Sequence, residues 1–220
     1  MQTTLKEALA AYQAKSGAKK TDEQKAIMAN ATQALIADNI EANALKIGDA
    51  IPEFTLPNAK GAHIDSQELL AQGPLVISFY RGGWCPYCNL ELRALQQLLP
   101  DFKQAGAQLV AISPQTPDHS LSTQEKNELT FEVLSDVGHQ VARKFGLVFT
   151  MPTDLQNLYN DFGLDLPKHN GDRSFELPMP ATYVVGKDGV IQYAFVPADY
   201  TQRAEPSEVL AAVKSLAVGA

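Results

Sequence analysis

Apolar residues recur along this chain in two alternating rhythms: short continuous runs and helical spacings. Pro74-Leu75-Val76-Ile77-Ser78-Phe79-Tyr80 is a continuous run and predicts a buried central strand. Behind it Cys88, Leu92, Leu95 and Leu99 fall on one face of a helix, which Pro100 helps to end. Gln108 to Ser113 predicts a second buried strand, Ser122 to Leu129 a helix, and Phe131 to Ser135 a third strand. Val137 to Phe145 predicts a helix closed by Gly146 in the position that favours a left-handed residue. Ala181 to Val185 and Val190 to Val196 predict strands joined at Gly186-Lys187-Asp188-Gly189, a hairpin signal. Pro206 to Leu216 predicts the last helix, with Val209, Leu210, Val213 and Leu216 inward. Strands alternating with helices imply an α/β fold, a parallel or mixed sheet with helices on both faces.

Two segments stand apart from this alternation. Residues 1–45 are rich in Ala, Lys, Gln and Glu and lack proline. Leu5, Leu9 and Tyr12, then Ile27, Ala31, Leu35 and Ile36, recur at helical spacing. Ser16-Gly17 breaks the pattern and Thr21-Asp22-Glu23 restarts it. This predicts a helical extension over residues 1–45, ahead of one domain over 46–220. Two short amphipathic helices need apolar surface to lie against, which either a second copy or their own domain supplies. Residues 46–57 are extended and proline-punctuated. A turn at Asn58 to Gly61, a short strand at Ala62 to Ile64 and a helix capped by Ser66 follow. Leu147 to Leu177 is longer than an ordinary connection. It holds a short amphipathic helix (Leu155, Leu158, Tyr159, Phe162) and a turn at His169 to Asp172.

The chemistry is concentrated at Arg81-Gly82-Gly83-Trp84-Cys85-Pro86-Tyr87-Cys88, which holds the only two cysteines of the chain. Pro86 suits the first helical position, where its missing N–H costs nothing. Cys85 then becomes the N-cap, and Cys88 lies in the first turn. A helix N-terminus lowers a thiol pKa through its free N–H groups and partial positive charge, and Arg81 adds to this if it folds back over the turn. The spacing also lets one sulfur resolve the oxidised form of the other. By helical position Cys88 points inward and Cys85 outward, which favours Cys85 as nucleophile and Cys88 as resolver. Half of a zinc site is the competing use of such a pair. Structural zinc needs about four ligands, and the four histidines are scattered singly.

Bulk properties narrow the classes. The chain has 220 residues, is 45% hydrophobic and 20% charged, and reads as an ordinary globular protein. A net charge of -7 argues against nucleic acid or an acidic membrane as partner. No apolar run approaches the roughly 18 residues of a membrane span, and the charged N-terminus is unlike a signal peptide. The expected location is cytoplasmic, with thiols reduced except during turnover.

The order of motifs over residues 46–217 resembles the peroxiredoxins of the alkyl hydroperoxide reductase/thiol-specific antioxidant (AhpC/TSA) family, within the thioredoxin-like fold. Ile47-Gly48-Asp49-Ala50-Ile51-Pro52-Glu53-Phe54 is similar to their opening, Gly106 to Pro114 to the strand after their catalytic helix, and Gly186 to Ile191 to their late hairpin. The helical arm and the long insertion fall outside the common pattern. The family motif, proline then threonine or serine then cysteine, places its peroxidatic cysteine on Cys88 and its acidic position on Glu91. Its hydroxyl position falls on Cys85 and its proline on Arg81, so both are replaced. Trp84-Cys85-Pro86-Tyr87-Cys88 also resembles thioredoxins and glutaredoxins. The family arginine before the late strand falls on or beside Met179-Pro180, where Pro180 resembles the cis-proline of thioredoxins. Arg203 resembles a second family arginine and is the candidate substitute, ahead of Arg81 and Arg173.

The resemblance implies a thiol-dependent peroxidase acting on hydrogen peroxide or alkyl hydroperoxides, recycled by a thioredoxin- or glutaredoxin-type protein, with no cofactor or metal. A homodimer is compatible with it. Cys88 and Cys85 carry the chemistry, Trp84, Pro86 and Tyr87 shape the entrance, and an arginine lowers the thiol pKa. The alternative is a thiol–disulfide oxidoreductase, with Cys85 attacking, Cys88 resolving and Pro180 docking a protein. A binding or sensor protein switched by its disulfide is the third class.

Overall fold

The computed structural model describes residues 3–218. In chain order, helices α1 (Leu5–Gly17) and α2 (Asp22–Ala37) precede a single 3-10 turn at Ile40–Asn43. Strands β1 (Thr55–Pro57) and β2 (His63–Asp65), helix α3 (Ser66–Gln72) and strand β3 (Leu75–Phe79) lead to helices α4 (Pro86–Gln97) and α5 (Leu99–Gln104). Then come β4 (Gln108–Ser113), α6 (Pro117–Lys126), β5 (Glu132–Ser135), α7 (Gln140–Lys144), β6 (Val148–Thr150), α8 (Thr153–Asp161), α9 (Leu166–Asn170) and β7 (Glu176–Pro178). Strands β8 (Ala181–Val185) and β9 (Ile191–Phe195) and helix α10 (Pro206–Val218) close the chain.

The core is a five-stranded mixed sheet in the order β5-β4-β3-β8-β9. β3 runs parallel to β4 and antiparallel to β8, with Ile77 opposite Val110 on one side and Tyr183 on the other. Every residue of β3 is buried, because helices cover both faces of the sheet. Successive side chains alternate between those faces. Val76 and Tyr80 join Leu92, Leu95, Phe102 and Val213 on one side. Leu75, Ile77 and Phe79 join Ile112, Phe145 and Tyr183 on the other. β3 therefore ends deep in the molecule, and α4 begins there.

The two N-terminal helices lie on different parts of their own chain. Helix α1 buries Leu5 and Leu9 in the cluster under α4, and Tyr12 meets Tyr87 edge-on at 5.1 Å. Helix α2 sets Ile27, Met28 and Ala31 against Leu155, Leu158 and Tyr159 of α8. Both begin with a capping box, Thr4 with Glu7 and Thr21 with Gln24. The first turn of α1 is also tied to the far end of the sequence. The N–H groups of Leu5 and Lys6 both donate to the Glu205 carboxylate, at 3.1 Å each. Glu205→Ala is expected to weaken α1 by about 1 kcal/mol, the scale of a lost helix cap. Faster amide hydrogen exchange confined to α1 is the readout.

Several boundaries differ from expectation. Asp65, not Ser66, caps α3, accepting from the N–H groups of Gln67 and Glu68. The Ser66 hydroxyl is occupied instead by the Phe54 N–H. The cysteine helix ends at Gln97, and Pro100 stands in the first turn of α5 rather than ending α4. Helix α6 starts five residues early, at Pro117. Helix α7 starts only at Gln140, with Gly146 left-handed as expected. His169 and Asn170 end α9 and Gly171 caps it. The long connection is framed by an antiparallel β6–β7 pair.

Candidate active site

The segment between β3 and α4 is a tight loop that two glycines make possible. At Gly82, with φ +148°, a Cβ would lie 2.3 Å from Trp84 Nε1; at Gly83 it would lie 2.1 Å from Thr123 Oγ1. No larger residue fits this approach without displacing a neighbour. The Gly83 N–H donates to Gln115 Oε1 at 2.8 Å, and Asn89 Nδ2 donates to the Gly83 carbonyl at 2.9 Å. Asn127 in turn donates to Asn89. The loop is thus fixed from α4 and from the residues that follow β4 and α6. Cys85 is the N-cap of α4, Pro86 its first residue and Cys88 its third.

Both cysteines are reduced and buried, 1% and 0% exposed. Cys85 faces the cleft that leads to solvent; Cys88 lies behind it. Arg203 Nη2 donates to Cys88 Sγ at 3.1 Å, and Arg203 Nε to Glu91 Oε2 at 2.6 Å. Thr182 donates to the other Glu91 oxygen. The ion pair is 1% and 2% exposed, so it acts on the sulfur without water between. Burial works against a charged Arg203, but the charges of Cys88 and Glu91 outweigh it and raise its pKa. Glu91 is pushed up to about 7 by burial, opposed by Arg203.

The two thiols are pushed in opposite directions. Burial opposes ionisation of Cys85, yet a hydrogen bond from the Cys88 thiol and the charges of Arg81 and Arg203 together bring Cys85 down to about 6. Burial and the Cys85 charge push Cys88 up, against Arg203. The pair therefore holds one charge and one proton between two guanidinium groups.

Arg81 stands on the cleft side. Its guanidinium lies 4.5 Å from the Tyr200 ring centroid, 5.1 Å from Trp84 and 5.7 Å from Tyr159, and it donates to the Tyr159 hydroxyl at 2.9 Å. This aromatic cage holds a buried cation by its ring faces and fixes Trp84 over the loop. Tyr87 is clasped between Tyr12 and Tyr200. The cleft is about 870 Å³ in volume, with Trp84, Cys85, Pro86 and Tyr87 at its floor. Its walls come from α1, α2 and the 147–177 segment.

Of the residues singled out from sequence, Cys85, Cys88, Arg81, Trp84, Pro86, Tyr87, Glu91 and Arg203 come together here. Two expectations are corrected. Cys85 is buried rather than exposed, because the N-terminal helices and the long connection cover the start of α4. Pro180 is preceded by a trans bond, as no peptide among the described residues is cis. It lines a separate cavity of about 20 Å³ with Met179, not the cleft over Cys85. Arg173 is exposed and takes no part. Sequence reasoning missed Gln115, Asn89, Thr182, Tyr159 and Tyr200. Only Gln115 carried a signal, its place just past the end of a buried strand. Among the described residues no group of three or more His, Cys, Asp or Glu is arranged to hold a metal ion, and no helix is long and apolar enough to cross a membrane.

The AhpC/TSA family profile matches residues 47–194. The chain is 34% identical over 105 residues to Peroxiredoxin Bcp of Escherichia coli (strain K12), covering 48% of this chain and 67% of that one. It is 30% identical over 148 residues to Peroxiredoxin Q, chloroplastic, of Oryza sativa subsp. japonica, covering 67% of this chain and 58% of that one. Among solved structures, Peroxidoxin BcpB from Mycobacterium tuberculosis superposes with a TM-score of 0.62 at 22% identity, over 78% of this chain and 98% of that one. The fold is thus thioredoxin-like, a central mixed sheet flanked by helices.

Proposed function

The chain belongs to the AhpC/TSA family, and from that premise we propose that it is a thiol peroxidase working through the Cys85–Cys88 pair. The observation that carries this is the pair itself: two buried sulfurs in the first turn of one helix, with Arg203 donating to Cys88 at 3.1 Å. A thiolate attacks one peroxide oxygen, the O–O bond breaks, and the departing oxygen takes up a proton and leaves as alcohol or water. The sulfur is left as sulfenic acid. The second thiol attacks that sulfur, the S–O bond breaks and water leaves, giving the Cys85–Cys88 disulfide. Two electrons then return from a thioredoxin-type reductant. In this proposal Cys88 is the sulfur oxidised, by its family position and its bond to Arg203. Passing its proton across the sulfur pair to Cys85 makes it the thiolate. Arg203 steadies that charge, and Glu91 with Thr182 holds Arg203 in place.

A second order rests on one observation, that Cys85 rather than Cys88 lines the cleft. There Cys85 attacks and Cys88 resolves. The domain in this proposal is residues 46–220 with the 1–45 helices as an extension, in a cytoplasmic protein that forms a homodimer, which size-exclusion chromatography reads.

The test is stopped-flow oxidation of the reduced protein by hydrogen peroxide, followed by Trp84 fluorescence, with intact mass to show the loss of two hydrogens. Oxidation no faster than that of free cysteine would sink the proposal. The pH profile adds a sharper expectation. Only the thiolate attacks, and ionisation rises with pH, so the rate is expected to climb about tenfold per unit at low pH and level off above about 6. A plateau reached only near 8.5, the value of an ordinary thiol, would show that the two guanidiniums do not act on the pair.

A further inference from the structure

The cleft over Cys85 is too large and too cationic for hydrogen peroxide alone. At about 870 Å³ it is in the range of pockets that enclose a small organic ligand, roughly 300–1,000 Å³. The chain carries a net charge of -7, yet once Cys85 is bound in the disulfide every formal charge lining this cleft is positive. Lys15, Lys19, Lys20 and Arg81 line it, and no Asp or Glu does. Burial, and His119 beside it, lower the pKa of His169 at its wall. Lys20 is anchored to Ser16 at the end of α1. A cleft of one sign concentrates ligands of the other. The ligand is therefore an organic anion.

Its role follows from which sulfur it meets. Cys85 lines the cleft and Cys88 does not. Once the disulfide has formed, Cys85 is the sulfur open to attack and Cys88 the one that leaves. Arg203, 3.1 Å from Cys88 Sγ, stabilises that leaving thiolate, and a better leaving thiolate speeds exchange. Cys85 is 1% exposed beneath aromatic and helical walls, so a reductant reaches it through this cleft.

We propose that the cleft binds an anionic low-molecular-weight thiol which reduces the Cys85–Cys88 disulfide directly, with Lys15, Lys19 and Lys20 selecting its charge. This rests on the disulfide chemistry proposed above. The incoming thiolate bonds to Cys85 Sγ as the Cys85–Cys88 bond breaks, and Cys88 departs as thiolate. A second thiolate attacks the ligand sulfur of the mixed disulfide, releasing Cys85. Two thiols become one small disulfide, and the two protons they lose restore the dithiol.

The experiment measures reduction of the oxidised full-length protein by glutathione (net negative), 2-mercaptoethanol (neutral) and cysteamine (positive). Each rate is divided by that thiol's rate on a small free disulfide, which removes intrinsic nucleophilicity. The disulfide is made in parallel with hydrogen peroxide and with diamide. Failure of peroxide alone to form it would count against the peroxidase proposal, while the diamide sample still reads this one. A normalised preference for glutathione over cysteamine of roughly tenfold is expected, the scale of three partly exposed ion contacts. It is expected to fall towards one in the Lys15→Gln/Lys19→Gln/Lys20→Gln variant. The same fall is expected for the unaltered protein in roughly 0.5 M NaCl, where screening acts within a few ångström, so the outcome does not depend on the variant folding. A preference near one in the unaltered protein, or one that survives both the substitutions and the salt, overturns the proposal.

Discussion

Cys88→Ser is expected to lower the rate of oxidation by peroxide about a thousandfold or more, the scale on which removing a nucleophile acts. Serine keeps the shape of the site but has no thiolate to offer, and Arg203 is left facing a neutral hydroxyl. Cys85→Ser is expected to behave differently. It still reacts with one equivalent of peroxide, but no second thiol is at hand to expel water, so turnover stops at the sulfenic acid. That intermediate is then open to further oxidation. Trapping with a sulfenic-acid reagent and locating the adduct by mass spectrometry distinguishes the two. An adduct on Cys88 in the Cys85→Ser protein establishes the proposed order. Fast oxidation with the adduct on Cys85 in the Cys88→Ser protein reverses it. Undiminished oxidation in both variants removes the pair from the chemistry altogether.

The central strand and the start of α4 were legible because both are local. A continuous apolar run bounded by glycines specifies β3, and a proline after a cysteine specifies a helix N-terminus with that cysteine as its cap. Every residue of the predicted Ala181–Val185 and Gln108–Ser113 runs lies in a strand for the same reason. Where two neighbours offer the same local chemistry, the pattern does not choose. Asp65 and Ser66 are both good caps, and a tertiary contact, the Phe54 N–H on the Ser66 hydroxyl, decides between them. The isomer of an X-Pro bond is likewise set by its surroundings rather than by its letters.

The functional shell of Cys88 was less legible because it is assembled from distant segments. Arg203 and Glu91 stand 112 residues apart in sequence, and helical periodicity marks Glu91 only as a member of an inward face that is otherwise apolar. A carboxylate on such a face needs a buried partner, which was the available signal, though nothing local names Arg203. The burial of Cys85 has a similar origin. The first turn of α4 by itself leaves its N-cap open to water. Cover comes from α1 and α8, whose apolar faces predict that they pack but not on what. The cationic lining of the cleft was hidden in the same way, since Lys15, Lys19 and Lys20 look like solvated helix charges until the fold turns them towards one opening.

Arg203→Met is expected to cost both stability and rate, and Glu91 separates the two. Removing one partner of a buried ion pair strands the other, a penalty of about 3 kcal/mol or more and a fall of about 10 °C in melting temperature for a chain of this size. Glu91 relieves part of it by taking a proton, which its value of about 7 places within reach. The sign is fixed by that direction. A carboxyl whose pKa is raised in the folded state favours folding at low pH and loses that contribution as pH rises through the folded value. Loss of Arg203 raises it further, so the stability deficit is expected to be small near pH 5 and to grow above pH 7. Adding Glu91→Gln leaves no charge to strand, and the double variant is expected to recover much of the lost stability at high pH. Its peroxide reactivity is not expected to recover. The charge that steadied the sulfur is still gone, and a loss of about a hundredfold is the scale for one preorganised donor removed from developing negative charge. Thermal unfolding at two pH values, beside single-turnover oxidation of both variants, measures the two effects separately. A double variant that regains its rate together with its stability would show that Arg203 acts only by holding Glu91, and not on Cys88.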